Sequence, residues 1–245
     1  MLKALIFDAD NTLYKSNKEQ AYGEMYRFLS KKTGIDQDKI KSVHKRIIES
    51  VKSSSVPTMR RYDYSLNLAL EEMGIENANK LAREAVGLFW KNILNDLTAT
   101  PGTLDSIKDL KKYFRLVIAT DEFPDIVDKK LRKVFGQWKE YFDFVITPED
   151  VGIMKPSKTY YTLVLQRLGV SNNEVAVIGD SWYRDLQPAA ELGMTTVLIA
   201  QKKEGKPDIW LKSMEGITDK LKKYRFLIGF SPTDNGNIRR GRGMS

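Results

Sequence analysis

An α/β fold, with a parallel-sheet core and an inserted all-α domain, is predicted by two patterns and by the place where one of them stops. Short β-branched or apolar runs recur along the chain. Helical patterns alternate with them, as expected of a parallel sheet joined by right-handed crossovers. Between Lys15 and about Asp96 the alternation is broken by four helical stripes with no convincing strand.

The predicted strands are Leu2–Phe7, Arg115–Thr120, Phe142–Thr147, Val175–Gly179 and Thr196–Ala200. Each is short and continuously apolar, as strands covered on both faces are. Helical patterns lie between them at Thr103–Tyr113, Pro124–Phe135, Ser157–Leu168 and Asp185–Leu192. In the interrupting segment, Tyr22, Met25, Tyr26 and Leu29 follow helical spacing, as do Ile40, Val43, Ile47 and Val51. Tyr62, Leu66, Ala69, Leu70 and Met73 form a third stripe, and Leu81, Ala85, Val86, Phe89, Trp90 and Ile93 a fourth. Four such helices bury their stripes against one another. The expected organisation is a core of residues 1–14 and 97–223, a helical insertion of residues 15–96 and a tail of residues 224–245. The hinges fall near Tyr14–Asn17 and Thr98–Gly102, where Pro101-Gly102 is a turn signal. Pro207–Lys222 adds a short strand and helix, and Ser231–Ser245, rich in Gly, Asn, Ser and Arg, is expected to hang free.

Composition narrows the chemistry. No stretch approaches the roughly 20 apolar residues of a membrane span. The start, MLKALIFDAD, lacks the basic and long apolar regions of a secretory signal, so no membrane partner and a cytoplasmic location are expected. The absence of cysteine excludes disulfides, thiolate metal sites and cysteine-based catalysis. His44 is the only histidine, which rules out a multi-histidine metal site, and it lies on an apolar stripe beside Val43 and Ile47, where packing is the expected role. Carboxylates, lysines, hydroxyls and a hard, oxygen-bound metal ion remain. A net charge of +8 favours anionic partners without choosing among them.

In an open parallel sheet, ligands bind beyond the carboxyl ends of the strands. The first predicted strand ends in Asp8-Ala9-Asp10-Asn11-Thr12, the second in Thr120-Asp121; Lys155-Pro156 follows the third, and the fourth ends in Gly179-Asp180, with Asp185 close behind. As a set these residues suit transfer of a phosphoryl group. Bound Mg²⁺ would cancel the repulsion between carboxylates and a phosphate ester. Asp8 is the candidate nucleophile, and Asp10 the candidate acid for the leaving oxygen and base for water. Lys155 and Thr120 would hold the phosphoryl oxygens. Asp8, Asp10, Asp180 and Asp185 are the candidate metal ligands.

Asp8-Ala9-Asp10-Asn11-Thr12-Leu13 resembles the DxDxT motif of the haloacid-dehalogenase (HAD) superfamily. Thr120 resembles its second motif, Lys155-Pro156 its third and Gly179-Asp180-Ser181 through Asp185 its GDxxxxD fourth. The resemblance spans about Leu2 to Ala200 and implies a Rossmann-like, HAD-like core with a C1-type helical cap. It also implies a Mg²⁺-dependent phosphoric monoester phosphatase forming an aspartyl-phosphate on Asp8. Two positions depart from the family pattern: Asn11 stands where Gly is common, and Asp121 where Asn is common. Asn tolerates the turn conformation needed, while a carboxylate at 121 suits a phosphate site only if it turns away.

Family dehalogenases lack the second aspartate, so Asp10 favours phosphoester hydrolysis over 2-haloacid dehalogenation; a phosphomutase would keep both. The expected substrate is a small phosphorylated metabolite: a sugar phosphate, a phosphoglycolate-like acid or a nucleotide monophosphate. Arg60 and Arg61, in the insertion, are candidates to reach its anion. A reading of another class is a non-catalytic nucleic-acid-binding protein using Arg239, Arg240 and Arg242 of the tail. No aromatic platform is interleaved with these arginines, so nucleic acid is not the expected partner. A monomer or a homodimer fits the sequence.

Overall fold

A computed structural model describes residues 1–52 and 56–229. In chain order, β1 (Ala4–Phe7) is followed by β2 (Tyr14–Lys15) and by the helices α1 (Lys18–Thr33), α2 (Gln37–Lys52), α3 (Tyr62–Glu72) and α4 (Ala78–Asp96). Next come β3 (Thr98–Ala99), α5 (Thr103–Leu110), β4 (Arg115–Ala119), α6 (Pro124–Phe135), β5 (Phe144–Ile146), α7 (Pro148–Val151) and α8 (Lys158–Leu168). The chain continues through β6 (Val175–Gly179), α9 (Gln187–Glu191), β7 (Thr195–Ile199), β8 (Ile209–Leu211) and α10 (Ile217–Gly229).

The main sheet has the order β5-β4-β1-β6-β7-β8, and every pairing in it is parallel. β1 lies between β4 and β6, with Phe7 opposite both Ile118 and Ile178. That register brings the carboxyl ends of these strands to one edge. Alternate residues enter two cores, one on each face of the sheet. Leu5, Phe7, Leu116, Ile118 and Ile178 pack with Ile107, Val127, Leu131 and Leu221 from helices of one face. Ala4, Ile6, Val117 and Val177 pack with Tyr160, Val164 and Leu168 of α8 on the other. Burial on both sides is why the strands are apolar throughout rather than alternating.

Helices α1 to α4 share a third core containing Met25, Leu29, Ile40, Leu66, Leu70 and Phe89. The expected stripes of α1, α3 and α4 supply most of it, but of the expected α2 stripe only Ile40 enters: Val43 and Ile47 are half-buried outside it, and Val51 lines a cavity beside Ile48. Helical period marks a face but not what that face meets. The insertion joins the sheet domain through β2 and β3, an antiparallel pair with Tyr14 opposite Ala99 and Lys15 opposite Thr98. The Thr100 hydroxyl donates to the Thr12 carbonyl at 2.6 Å, and Asn17 N–H donates to Asp96 at 2.6 Å. Strands of two residues are too short to show as a sequence pattern.

Other boundaries move by a few residues. Leu2 lies outside β1 yet is buried. The helix expected to run to Tyr113 ends at Leu110. The region expected as a helix from Asp185 begins with a π-type turn, Trp182–Leu186, before α9. α10 runs through Gly229, past residue 224, as the helical spacing Ile217, Leu221, Tyr224, Ile228 continues beyond Lys222. The Ser231–Ser245 tail, expected to hang free, and its arginines lie outside the described residues. No helix among the described residues is long and apolar enough to cross a membrane.

His44 is fully buried between α1 and α3, its Nδ1 2.9 Å from the Tyr26 hydroxyl and its Nε2 3.1 Å from the Ser65 hydroxyl. Burial pushes its pKa down to about 4. Below the ordinary value of 6.5 the unfolded chain binds a proton that the native imidazole refuses, so this contribution is complete above pH 6.5 and declines as pH falls toward 4. The decline amounts to at most about 3 kcal/mol. Denaturant unfolding of the wild type and His44→Gln at pH 7.5 and pH 5 measures it: the wild type is expected to lose more stability between the two, and parallel losses would show that His44 is not responsible.

Candidate active site

The loop after β1 is built to present two carboxylates. Asp8 N–H donates to the Ile178 carbonyl at 2.8 Å, which ties the start of the loop to β6. The chain then turns back: Leu13 N–H bonds the Ala9 carbonyl at 2.9 Å, and Asn11 N–H the Tyr14 carbonyl at 2.7 Å. Asn11 adopts the left-handed conformation, φ 63°, that the departure from glycine requires it to tolerate. The buried Thr12 hydroxyl lies 3.3 Å from Asp8 Oδ2.

Lys155, in the loop after α7, sends its ammonium to Asp8 Oδ1 at 2.5 Å and Asp185 Oδ1 at 2.6 Å. The π-type turn brings Asp185 back toward the end of β6, where its Oδ2 accepts from Ser181 N–H at 3.3 Å. Gly179 makes this approach possible: a Cβ there would stand 2.6 Å from the Asp185 Cβ. Carboxylate oxygens of Asp8, Asp180 and Asp185 all lie within 4.8 Å of one another. Thr120 caps β4, its hydroxyl oxygen accepting from Glu122 N–H at 3.1 Å, which leaves the hydroxyl proton to be donated. Tyr160 fixes this strand end by donating to the carbonyls of Thr120 and Ile146 at 3.0 and 2.9 Å.

Asp8, Asp10, Thr120, Lys155, Asp180 and Asp185 line one cavity of about 890 Å³ together with Tyr22, Arg60 and Tyr62 of the insertion. Arg61 is not among its lining residues. It pairs instead with Glu149 at 2.9 Å and Asp125 at 3.3 Å, its guanidinium over the Phe123 ring, and so joins the insertion to the sheet domain. The reach toward an anion expected of Arg61 is thus spent on two carboxylates of the core.

The two aspartates of the loop sit in opposite fields. Burial, Asp185 and Asp180 push the Asp8 carboxyl up to about 8, against the pull of Lys155. Burial and Asp185 raise Asp180 to about 6. Burial opposes the Lys155 charge, but Asp185 and Asp8 keep its ammonium well above the ordinary range. At Asp10 burial is outweighed by Lys130 and then Lys18, which hold it down at about 2. Asp10 turns its carboxylate onto Lys130 and Lys18, and its side chain is not part of the carboxylate cluster of Asp8, Asp180 and Asp185.

Lys130, Glu122, Lys18 and Arg184 escaped the sequence reading. Lys130 had a visible signal: it interrupts the apolar stripe Ile126, Val127, Leu131, Val134 of α6 at a core-facing position. Arg184 resolves the second departure from the family pattern. Its guanidinium lies 2.5 Å from Asp121 Oδ2, while Asp121 Oδ1 accepts from Lys155 N–H at 2.9 Å, so the extra carboxylate is neutralised and helps place Lys155.

With this fold and this edge of the sheet in place, the comparisons agree. A family model for haloacid dehalogenase-like hydrolases matches residues 2–193, and the chain belongs to that family. A glyceraldehyde 3-phosphate phosphatase of Methanopyrus kandleri is 28% identical over 207 residues, which cover 83% of this chain and 86% of that one. One of the same name from Methanocaldococcus jannaschii is 26% identical over 243 residues, covering 92% and 99%. A crystal structure of a 2-haloacid dehalogenase from Pseudomonas syringae pv. tomato DC3000 superposes with a TM-score of 0.73 at 22% identity, covering 91% of this chain and all of that one, and shows the shared fold.

Gly179→Ala tests the geometry at the end of β6 without changing a charge. The added methyl meets Asp185 at 2.6 Å, so the turn must shift. A loss of about 1–3 kcal/mol in denaturant unfolding is expected, as for overpacking elsewhere; unchanged stability would mean that Asp185 yields freely.

Proposed function

We propose that the protein is a Mg²⁺-dependent phosphatase that hydrolyses a small sugar phosphate through a covalent aspartyl-phosphate on Asp8. The observation that carries this reading is the division of labour between Asp8 and Asp10. They are two residues apart at the end of the central strand, one against Lys155 and an acidic cluster, the other against Lys130 and Lys18. Dehalogenation needs only the first; a phosphate ester needs both, because its alkoxide must leave with a proton. The relatives named glyceraldehyde 3-phosphate phosphatases favour a phosphorylated sugar of triose size.

The donor set fits a hard divalent cation. Asp8, Asp180 and Asp185 converge, and burial together with their mutual repulsion raises Asp8 and Asp180, so the cluster lacks positive charge even with Lys155 present. When bound there, Mg²⁺ neutralises the carboxylates facing the incoming phosphate and stabilises the charge of transfer. Asp8 attacks phosphorus, and the ester oxygen leaves. Lys155 and the Thr120 hydroxyl hold phosphoryl oxygens, a role in which fixed charges act without reorganisation. Asp10 and Glu122 share a hydrogen bond, with Glu122 pushed up to about 7 by burial and Asp10, so near neutral pH the pair is able to hold a proton beside the departing oxygen. Asp10 then takes a proton from the water that cleaves the aspartyl-phosphate and restores Asp8. The helices α1 to α4 act as a cap over the cavity, and the Arg61 pairs with Asp125 and Glu149 hold it in register.

Phosphate release from a panel of sugar phosphates, with Mg²⁺ and with EDTA, tests the reading. Asp8→Asn is expected to abolish metal-dependent release while leaving the unfolding midpoint within a few degrees. Full activity in that variant would overturn the mechanism, and isomerisation of a sugar phosphate without release would make the enzyme a mutase.

A further inference from the structure

The side chain of Lys130 is completely buried, yet it carries a charge that no part of the reaction described so far uses. It occupies the apolar stripe of α6, where an ammonium costs stability unless it is fully paired. Its partners are specific. Nζ lies 2.9 Å from Asp10 Oδ1, 3.2 Å from Asp10 Oδ2 and 3.2 Å from Glu122 Oε1. The rings of Tyr14 and Trp90, with centroids 5.6 and 5.4 Å from the ammonium, close the remaining sides. The only other cation on Asp10 is Lys18, at 3.5 Å and substantially exposed among the described residues. The backbone of Asp10 is set by its turn, but the turn leaves the direction of the carboxylate open. Lys130, gripping both oxygens from a closed compartment, decides it.

We infer that Lys130 is a positioning residue that aims the Asp10 carboxyl at the leaving oxygen. Two of its surroundings come from the sheet domain, Tyr14 at its hinge and Glu122 after β4, and one, Trp90, from α4 of the insertion. The aim of Asp10 thus depends on the insertion being seated. A lysine kept only for packing would be served as well by methionine, which fills a similar volume without the desolvation cost.

The inference rests on the phosphatase reading, and leaving-group dependence tests the two separately. An alkyl phosphate such as glyceraldehyde 3-phosphate expels a basic alkoxide that needs a proton; p-nitrophenyl phosphate expels an acidic phenol that does not. The quantity to compare is kcat/KM, which ends at the transfer to Asp8 and excludes the later hydrolysis. Lys130→Met is expected to lose on the order of 10²-fold for the alkyl ester, the scale of a misplaced catalytic group, and several-fold less for the aryl ester. Asp10→Asn should show the same asymmetry more strongly. Equal losses for both esters in Lys130→Met, or no loss, beside an asymmetric Asp10→Asn would overturn the role of Lys130 alone. A symmetric Asp10→Asn would overturn the assignment of Asp10 as the acid and the inference with it. Should Lys130→Met fold poorly, Lys130→Met/Glu122→Gln removes the opposing charge as well and permits the same comparison against Glu122→Gln.

Discussion

One ammonium, that of Lys155, sits almost without solvent between Asp8 and Asp185. Much of the active-site architecture serves to make that arrangement affordable. Buried charges are costly unless opposite charges and hydrogen bonds meet them in good geometry, and removing one member of such a set typically costs about 3–5 kcal/mol. Asp8 therefore needs the parallel register that places β1 against β6, Asp185 needs the π-type turn and the bare Gly179, and Lys155 needs its backbone N–H held by Asp121. Even so, three carboxylates gather beside one lysine, and burial together with this imbalance raises Asp8. A site with surplus negative charge is suited to take up a hard cation before it meets an anion.

The second consequence concerns Asp10. It follows Asp8 by two residues, and in a regular strand it would point the same way. The strand has already ended at Phe7, and in the turn that follows the carboxylate comes under Lys130 and Lys18 instead. Two identical side chains in one loop thus acquire opposite tendencies from their neighbours alone. Without a cation these tendencies run opposite to the roles of nucleophile and acid: a positive charge at the acidic cluster would bring Asp8 back down, and the proton available beside Asp10 is the one held with Glu122.

The insertion contributes through contact rather than through the reacting groups. Tyr22 and Tyr62 stack at 6.0 Å between ring centroids, and both line the cavity. Trp90 leans on Lys130, and Arg61 grips Asp125 and Glu149. The contacts of Trp90 and Arg61 cross from the insertion to the sheet domain, so the insertion can be a self-contained packing unit and still bear on the chemistry.

The sequence by itself determined the alternating fold, the helical insertion and the residues at the strand ends, because those rest on local period and on motifs only a few residues long. Asp8, Thr120, Lys155, Asp180 and Asp185 were legible for the same reason: a parallel sheet must bring its carboxyl ends to one edge. The tertiary structure alone decided what the polar residues of helices and loops do. Lys130 stands on a core-facing stripe and Arg61 in a run of charged residues, yet the first is aimed at Asp10 and the second away from the cavity. Periodicity gives the direction of a side chain relative to its own helix. Which carboxylate waits there is set by packing between segments more than a hundred residues apart for Lys130 and Asp10.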